Sequence, residues 1–139
     1  IPVYTTGEEA MQARIRFGMG QSTGATMATI LGRQNTDGGF GALWGYASDP
    51  LTTAEVALAI GVTGEGTPED LAQALASITG SIEPDGAMRL TPGSDPSYYL
   101  MNKTLQSLAP FRAYSVSDGT TSVSVQSRID LVLSFLRAR

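Results

Sequence analysis

The chain has 139 residues, of which 42% are apolar and 16% charged, and its net charge is −4. This length and composition are typical of one globular domain and exclude a disordered chain. The nine cations are scattered and only Lys103 is a lysine, so a phosphate-neutralising interface for nucleic acid is not expected. The longest apolar run, Val56 to Val62, is far shorter than the ~20 residues of a transmembrane helix.

The chain contains neither cysteine nor histidine. Disulfides, thiolate chemistry, zinc sites built on Cys and His, and Ser-His-Asp catalysis are therefore excluded. Any acid–base chemistry would have to use carboxylates, tyrosines, arginines or Lys103. We predict no catalytic residue, no metal site and no cofactor.

The first two predicted helices run from Gly7 to Phe17 and from Ser22 to Gly32. Glu8 and Glu9 lie in the opening turn of the first helix, where carboxylates suit the helix dipole. The segment between the two helices, Gly18 to Gly24, is rich in glycine like a phosphate-binding loop. It lacks the Gly-Lys-Ser/Thr ending of such loops, and we interpret it as a helix break.

The third and fourth predicted helices begin with strong capping signals. Asp49 is a favourable N-cap with Pro50 at the first helical position, and Thr67 and Pro68 repeat this arrangement. Apolar residues at helical spacing follow in both helices, with Glu55 on the opposite face of the third. These apolar positions are Leu51, Ala54, Leu58 and Val62 in the third helix, and Leu71, Leu75 and Ile78 in the fourth.

The fifth predicted helix repeats the third, because Asp95 is its expected cap and Pro96 its first residue, and Pro110 ends it. The sixth runs from about Ser124 to Ala138. The segment from Thr120 to Val125 alternates polar and apolar residues, which is typical of a short strand. We interpret that segment instead as the entry to the sixth helix.

Two long glycine-rich loops, Asn35 to Ser48 and Pro84 to Ser94, alternate with short turns between helices. Their Ser-Asp-Pro elements lie 46 residues apart and their Asp-Gly elements 48 apart. Such a period indicates a repeated helical hairpin with one extended loop. A β-propeller has a similar period, but the segments after Pro50 and Pro68 have helical rather than alternating spacing.

The segment from Gln34 to Gly41, QNTDGGFG, resembles the QW-type repeat of the squalene cyclase and protein prenyltransferase superfamily. The segment from Ser48 to Ala54 resembles the start of that family's inner helix. The resemblance implies an all-α fold of about six helices in three hairpins, an arc of an (α/α) barrel or toroid. Residues 1–139 would form a single domain of this kind: a fragment of a longer chain, an open arc, or half of a ring that a second copy closes.

In this resemblance the loop residues have structural roles. Gln34 would cap a neighbouring helix end and stack its amide on an aromatic ring, while Gly38 and Gly39 allow positive φ and close backbone approach. The predicted motif consists of Gln34, Asp37, Gly38, Gly39, Asp49 and Pro50. The second loop departs from the motif, since Ala87 and Met88 replace the glycine–aromatic pair.

The catalytic signatures of this family are missing. Its cyclases protonate an alkene with an aspartate cluster, whereas Asp37, Asp49, Asp85 and Asp95 stand singly in this chain. Its prenyltransferases hold zinc with Asp, Cys and His, and this chain lacks two of these. We therefore expect a non-catalytic binding or assembly module. Half of a cyclase-like or prenyltransferase-like enzyme, and a small-molecule carrier similar to the cobalamin-binding toroids, are the alternatives.

Aromatic residues in two places are the candidate ligand-binding residues, because their rings can stack on a sugar, a cofactor or a peptide. One set lies in the first long loop and the other on the fifth helix, which corresponds to an inner helix of the toroid. Core packing is the competing interpretation of both sets. The candidates are Phe40, Trp44 and Tyr46 in the loop, and Tyr98, Tyr99 and Met101 on the helix.

The first loop also contains oxygen-bearing side chains of the kind that bind Ca²⁺. Asn35, Asp37 and Asp49 could supply such ligands. Their positions fit turn and N-cap chemistry better, and no spacing matches an EF-hand.

The chain begins with Ile-Pro, without an initiator Met or a signal-peptide pattern. Its single lysine, lack of cysteine and abundance of Gly, Ser and Thr are compatible with an exported or cell-surface protein. The expected partners are other protein segments or chains, in a homodimer or a larger parent chain. Neither a nucleic-acid partner nor a transmembrane segment is expected.

Overall fold

A computed structural model describes residues 4–117 and 120–139. Within these residues the chain forms six α-helices, a 3-10 turn at Ala109–Phe111 and two short strands. The prediction of a mostly helical protein with six helices is therefore confirmed. The helices are α1 (Thr6–Gly18), α2 (Gly24–Leu31), α3 (Pro50–Thr63), α4 (Pro68–Gly80), α5 (Tyr98–Leu108) and α6 (Val125–Arg137), and the strands are β1 (Ser115–Ser117) and β2 (Ser122–Ser124).

Side-chain caps determine where most of these helices begin. In α4, Thr67 and Asp70 form a capping box, in which each side chain accepts a hydrogen bond from the other residue's N–H. Such caps satisfy backbone donors that the helix itself leaves free. Four further residues, Thr5, Asp49, Ser97 and Ser124, each accept a hydrogen bond from the N–H three residues later.

The predicted start of the fifth helix is wrong by two residues. Ser97 caps α5, whereas Asp95 and Pro96 lie before the helix in the loop. The N–H of Ser97 donates to the carbonyl oxygen of Met88 at 2.8 Å. The closure of the loop therefore decides which residue becomes the cap, and the local Asp-Pro signal does not.

The two strands are an element that an all-α fold does not contain. They pair antiparallel with Val116 opposite Val123, and the side chain of Val116 is buried against the helices. The interpretation of Thr120 to Val125 as a helix entry is wrong for most of its length. Ser122–Ser124 forms β2, and only Ser124, the cap of α6, and Val125, its first residue, belong to the helix start.

The helices pack in two sets. The odd-numbered helices lie side by side in the order α1, α3, α5, and each of them packs against the even-numbered helix that follows it in the chain. We call α1, α3 and α5 the inner helices, and α2, α4 and α6 the outer helices. The middle one, α3, has neighbours on both flanks and is buried from Thr52 to Ile60. Its carboxyl end is less enclosed, since Val62, predicted on the apolar face, is 40% exposed.

Candidate functional site

The first long loop is held closed by its own polar side chains. Oδ1 of Asp37 accepts hydrogen bonds from the N–H of Gly39 at 2.9 Å and from Oγ of Ser48 at 2.7 Å. Nδ2 of Asn35 donates to Oγ of Ser48 and to the carbonyl oxygen of Tyr46. These contacts are turn chemistry. Among residues 4–117 and 120–139, no three Asp or Glu side chains lie close enough together to hold a metal ion.

Gln34 joins this loop to the neighbouring outer helix. Its Nε2 donates to the carbonyl oxygen of Gly38 at 2.9 Å and to that of Asp70 at 3.0 Å. Asp70 belongs to the first turn of α4, so the contact is made at the amino-terminal end of that helix. The amide therefore bridges the loop and α4 through two acceptors.

Gly38 is required where the loop meets α4. Its φ is 85°, in the left-handed region that favours glycine. A Cβ placed on Gly38 would overlap the backbone carbonyl of Gln73 on α4. The loop can therefore approach α4 this closely only because position 38 has no side chain.

The second long loop builds the same turn from a different sequence. Oδ1 of Asp85 accepts a hydrogen bond from the N–H of Ala87 at 3.0 Å, and the N–H of Glu83 donates to the carbonyl oxygen of Ala87. Gly86 has a φ of 93°, and a Cβ there would overlap the carbonyl of Leu131 on α6. Each contact has its counterpart in the first loop, although the sequence ties this unit to the repeat only weakly.

One register of 48 residues relates the two units throughout. Asp49 and Ser97, the caps of α3 and α5, each donate their N–H to a loop carbonyl, that of Phe40 or of Met88. Phe40 and Met88 are both fully buried. The structural equivalent of Asp49 is therefore Ser97, and the 46-residue spacing of the Ser-Asp-Pro elements is not the structural period.

The six candidate ligand-binding residues divide into buried and exposed groups. Phe40 and Met101 have no exposed surface, so their contacts are with the core. The other four rings are exposed and lie in the loop before α3 and in the first turn of α5, where Nζ of Lys103 is 5.7 Å from the centroid of the Tyr99 ring. They are Trp44 (72% exposed), Tyr46 (57%), Tyr98 (54%) and Tyr99 (63%).

A cluster of charges links the three inner helices. Glu55 of α3, predicted to lie opposite the apolar face, is only 6% exposed. Its carboxylate contacts Nη2 of Arg14 on α1 at 3.0 Å and Nζ of Lys103 on α5 at 3.1 Å. Two cations therefore neutralise one buried carboxylate, as a buried charge requires. Sequence reasoning missed this cluster because its members are far apart along the chain.

The inner helices can be compared position by position if residues are counted from their N-caps. The tenth residue after the cap is Ile15 in α1, Ala59 in α3 and Ser107 in α5. Ala59 and Ser107 are fully buried, whereas Ile15 is 55% exposed. The position is therefore enclosed in α3 and α5, each of which has another inner helix before it in the row, and open in α1, which is the first of the row. We call the exposed row Met11, Ile15 and Met19 the leading edge.

The opposite flank shows the reverse pattern. The fifth residue after the cap is fully buried in α1 and α3, as Ala10 and Ala54, but exposed in α5, as Asn102. The ninth residue is buried in α3, as Leu58, and exposed in α5, as Gln106. We call Asn102, Leu105 and Gln106 the trailing edge. Ile15 on one edge, and Asn102 and Gln106 on the other, are therefore exposed at positions that are buried in α3.

Comparison of the chain with protein-family models, with curated proteins and with solved structures finds no match. Among the residues that the structure describes, none of the helices has the length and apolar character needed to cross a membrane.

Proposed function

We propose that this protein is a non-catalytic assembly module, an arc of an (α/α) toroid whose helical stack continues onto a second copy of the chain. The observation that carries the proposal is the 55% exposure of Ile15 at a position that is fully buried in both α3 and α5. Burying such a side chain at an interface is favourable in proportion to the apolar area removed from water.

The trailing edge of a second copy is the proposed occupant of the leading edge. Within one chain α1 packs against α3 and α3 against α5, and Ala10 of α1 and Ala54 of α3 are fully buried. Asn102, at the same position of α5, is exposed, and within the described residues no further inner helix follows α5 in the row. A head-to-tail contact would extend the packing already present twice in the chain. Such a contact leaves one free edge on each copy unless a ring closes.

The other parts of the proposal rest on composition. A single lysine and no cysteine support an exported or cell-surface protein. The lack of histidine and cysteine, together with the engagement of Asp37 and Asp49 in turn and cap hydrogen bonds, supports a non-catalytic role.

Sedimentation equilibrium over a range of protein concentrations tests the proposal. The wild-type protein is expected to show a weight-average mass that rises above 14.6 kDa as concentration increases. Ile15→Glu should weaken this association by at least about tenfold, because it places an unpaired charge in the interface. Leu90→Glu is the matched control, since Leu90 is similarly exposed at 47% but lies on neither edge.

Two outcomes would contradict the proposal. One is a wild-type mass of a single chain at every concentration. The other is self-association that Ile15→Glu leaves unchanged, which would place the interface elsewhere.

A further inference from the structure

The turn between α3 and α4 separates two open cavities at the end of the molecule where α3 finishes. The cavity on the side of the β-hairpin has a volume of about 410 Å³, and the cavity on the side of α2 about 460 Å³. Glu65, Gly66 and Thr67 line both of them. The two cavities therefore lie on either side of this turn, and we call them together the turn groove.

The hairpin side of the turn groove is mainly apolar. Leu71 and Leu75 of α4 form one wall, and Phe111 and Tyr114 lie opposite, in the segment that follows α5. The two rings meet edge to face, with centroids 5.5 Å apart, and Tyr114 is 50% exposed. A volume of this size and lining suits a small organic molecule with an aromatic or aliphatic body.

Space in the groove comes from glycine. Gly61, Gly64 and Gly66 all line the hairpin side. A Cβ on Gly61 would approach the ring of Phe111 to 3.3 Å, and one on Gly66 would approach Leu31 to 3.2 Å. Side chains at these positions would narrow the groove.

The charged side chains of the described residues that line the turn groove are all acidic. Among residues 4–117 and 120–139, Glu65 is the only charged residue that lines the hairpin side, and the α2 side adds only Asp70, which is occupied in the capping box of α4. No Lys or Arg of the described part of the chain lines either cavity. Within the described part of the chain, the half-buried carboxylate of Glu65 has no ion pair and accepts no side-chain hydrogen bond.

We propose that the turn groove binds a small organic cation, an ammonium group on an apolar body. The ammonium would contact the carboxylate of Glu65, which supplies the missing counter-charge. The apolar body would lie against Leu71, Leu75 and the ring of Tyr114. An aromatic face near a cation adds a further attraction.

The carboxylate of Glu65 also lies near the start of α2, and the test must distinguish an effect on that helix from an effect on binding. Its Oε1 lies 3.8 Å from the position of a Cβ on Gly24, the first residue of α2. Thr23 provides no side-chain cap there, so the carboxylate could interact with the positive end of the helix dipole. A purely structural Glu65 would change stability without distinguishing one ligand from another.

An NMR titration that follows amide chemical shifts can distinguish the binding role of Glu65 from its structural role. It uses three probes of similar shape: 2-phenylethylamine, 2-phenylethanol and phenylacetate. We expect the amine to shift the amides of Glu65, Gly66 and Tyr114 and to bind about fivefold more tightly than the alcohol. The acetate should bind most weakly. The preference for the amine should fall as salt is added, because the pair is partly exposed.

Two variants complete the design. Glu65→Gln should bring the amine and the alcohol to equal affinity, whereas Glu69→Gln, which removes an exposed carboxylate outside the groove, should not. Ala72→Phe places a ring into the hairpin side from the exposed face of α4 and should abolish binding of all three probes.

The proposal is overturned if no probe shifts the groove amides of the wild-type protein, or if the amine and the alcohol bind it equally well. It is also overturned if Glu65→Gln lowers only the stability and keeps the preference for the amine. These results do not depend on self-association, because the groove contains no residue of either edge. If the protein is monomeric and binds the amine, the assembly proposal is rejected and the proposal of a cation site stands.

Discussion

At the scale of single residues, the repeat depends on an aspartate–glycine pair and little else. Asp37 and Asp85 each accept the N–H two residues later, and Gly38 and Gly86 each bring the backbone against an outer helix. The sequence predicted a structural role for the first pair. It also placed the second pair 48 residues later, but the second loop resembled the motif only weakly, because the glycine and aromatic residues around the first pair are replaced there. The two turns therefore share this residue pair and its conformation, although the residues around the pair differ.

Replacing Gly38 with alanine tests the close approach of the first loop to α4. Gly38→Ala combines an unfavourable φ of 85° with overlap against the carbonyl of Gln73, and should lower the free energy of unfolding by about 3 kcal/mol or more. Gly45→Ala is the control, because Gly45 has a φ of 80° but no atom near its Cβ position. It should cost only about 1 kcal/mol. Urea unfolding measures both values, and equal losses would reject the packing argument.

Thr104 offers a substitution that should stabilise the protein. Its side chain is fully buried in α5, and within the described residues its Oγ1 has no hydrogen-bond partner. The equivalent position of α3 holds Val56. Thr104→Val keeps the shape and removes the buried hydroxyl, so the free energy of unfolding should rise by about 1 kcal/mol. A loss of stability in thermal or urea unfolding would show that the hydroxyl is satisfied in solution.

At the scale of single residues, contacts between residues that are far apart in the sequence could not be predicted. Glu55 could be assigned to a helix, but its partners Arg14 and Lys103 are on two other helices. Nothing local in the sequence distinguishes a buried carboxylate with two cations from one on a solvated face. The turn groove was missed for the same reason, since α4 and the segment after α5 form its walls.

At the scale of elements, helix starts were predictable where one capping signal stood alone. Asp49 and Thr67 cap α3 and α4 as their sequences indicate. Before α5 two signals compete within three residues, Asp95-Pro96 and Ser97, and the bond from Ser97 to Met88 decides between them. The alternation from Thr120 to Val125 was typical of a strand, but strands of three residues are too short for their period to decide against a helix entry.

The competing caps of α5 can be compared directly. Ser97→Ala removes the acceptor for the N–H of Leu100, which lies 3.1 Å from Oγ of Ser97, and should cost about 1 kcal/mol of stability. Asp95→Ala changes an exposed loop residue and should stay within about 0.5 kcal/mol of the wild type. Thermal unfolding of the two variants gives both values. The reverse order would place the cap at Asp95.

At the scale of the whole molecule, the helices form a stack with two unlike ends. The leading edge shows Met11, Ile15 and Met19, and the trailing edge shows Asn102, Leu105 and Gln106. The sequence indicated repeated hairpins, but it could not separate an exposed inner-helix face from a buried one, because all three inner helices have similar periodicity. The difference appears only when equivalent positions are compared in the folded chain.

Site-specific crosslinking between copies tests the head-to-tail assembly most directly. The chain has no cysteine, so Ile15→Cys and Gln106→Cys each introduce a single reactive site. The two variants are mixed, treated with a short bis-maleimide and analysed by mass spectrometry of the linked peptides. The assembly predicts that links between positions 15 and 106 dominate, and that Leu90→Cys, introduced outside both edges, forms few. Links mainly between two copies of position 15, or no links above the Leu90→Cys level, would contradict it.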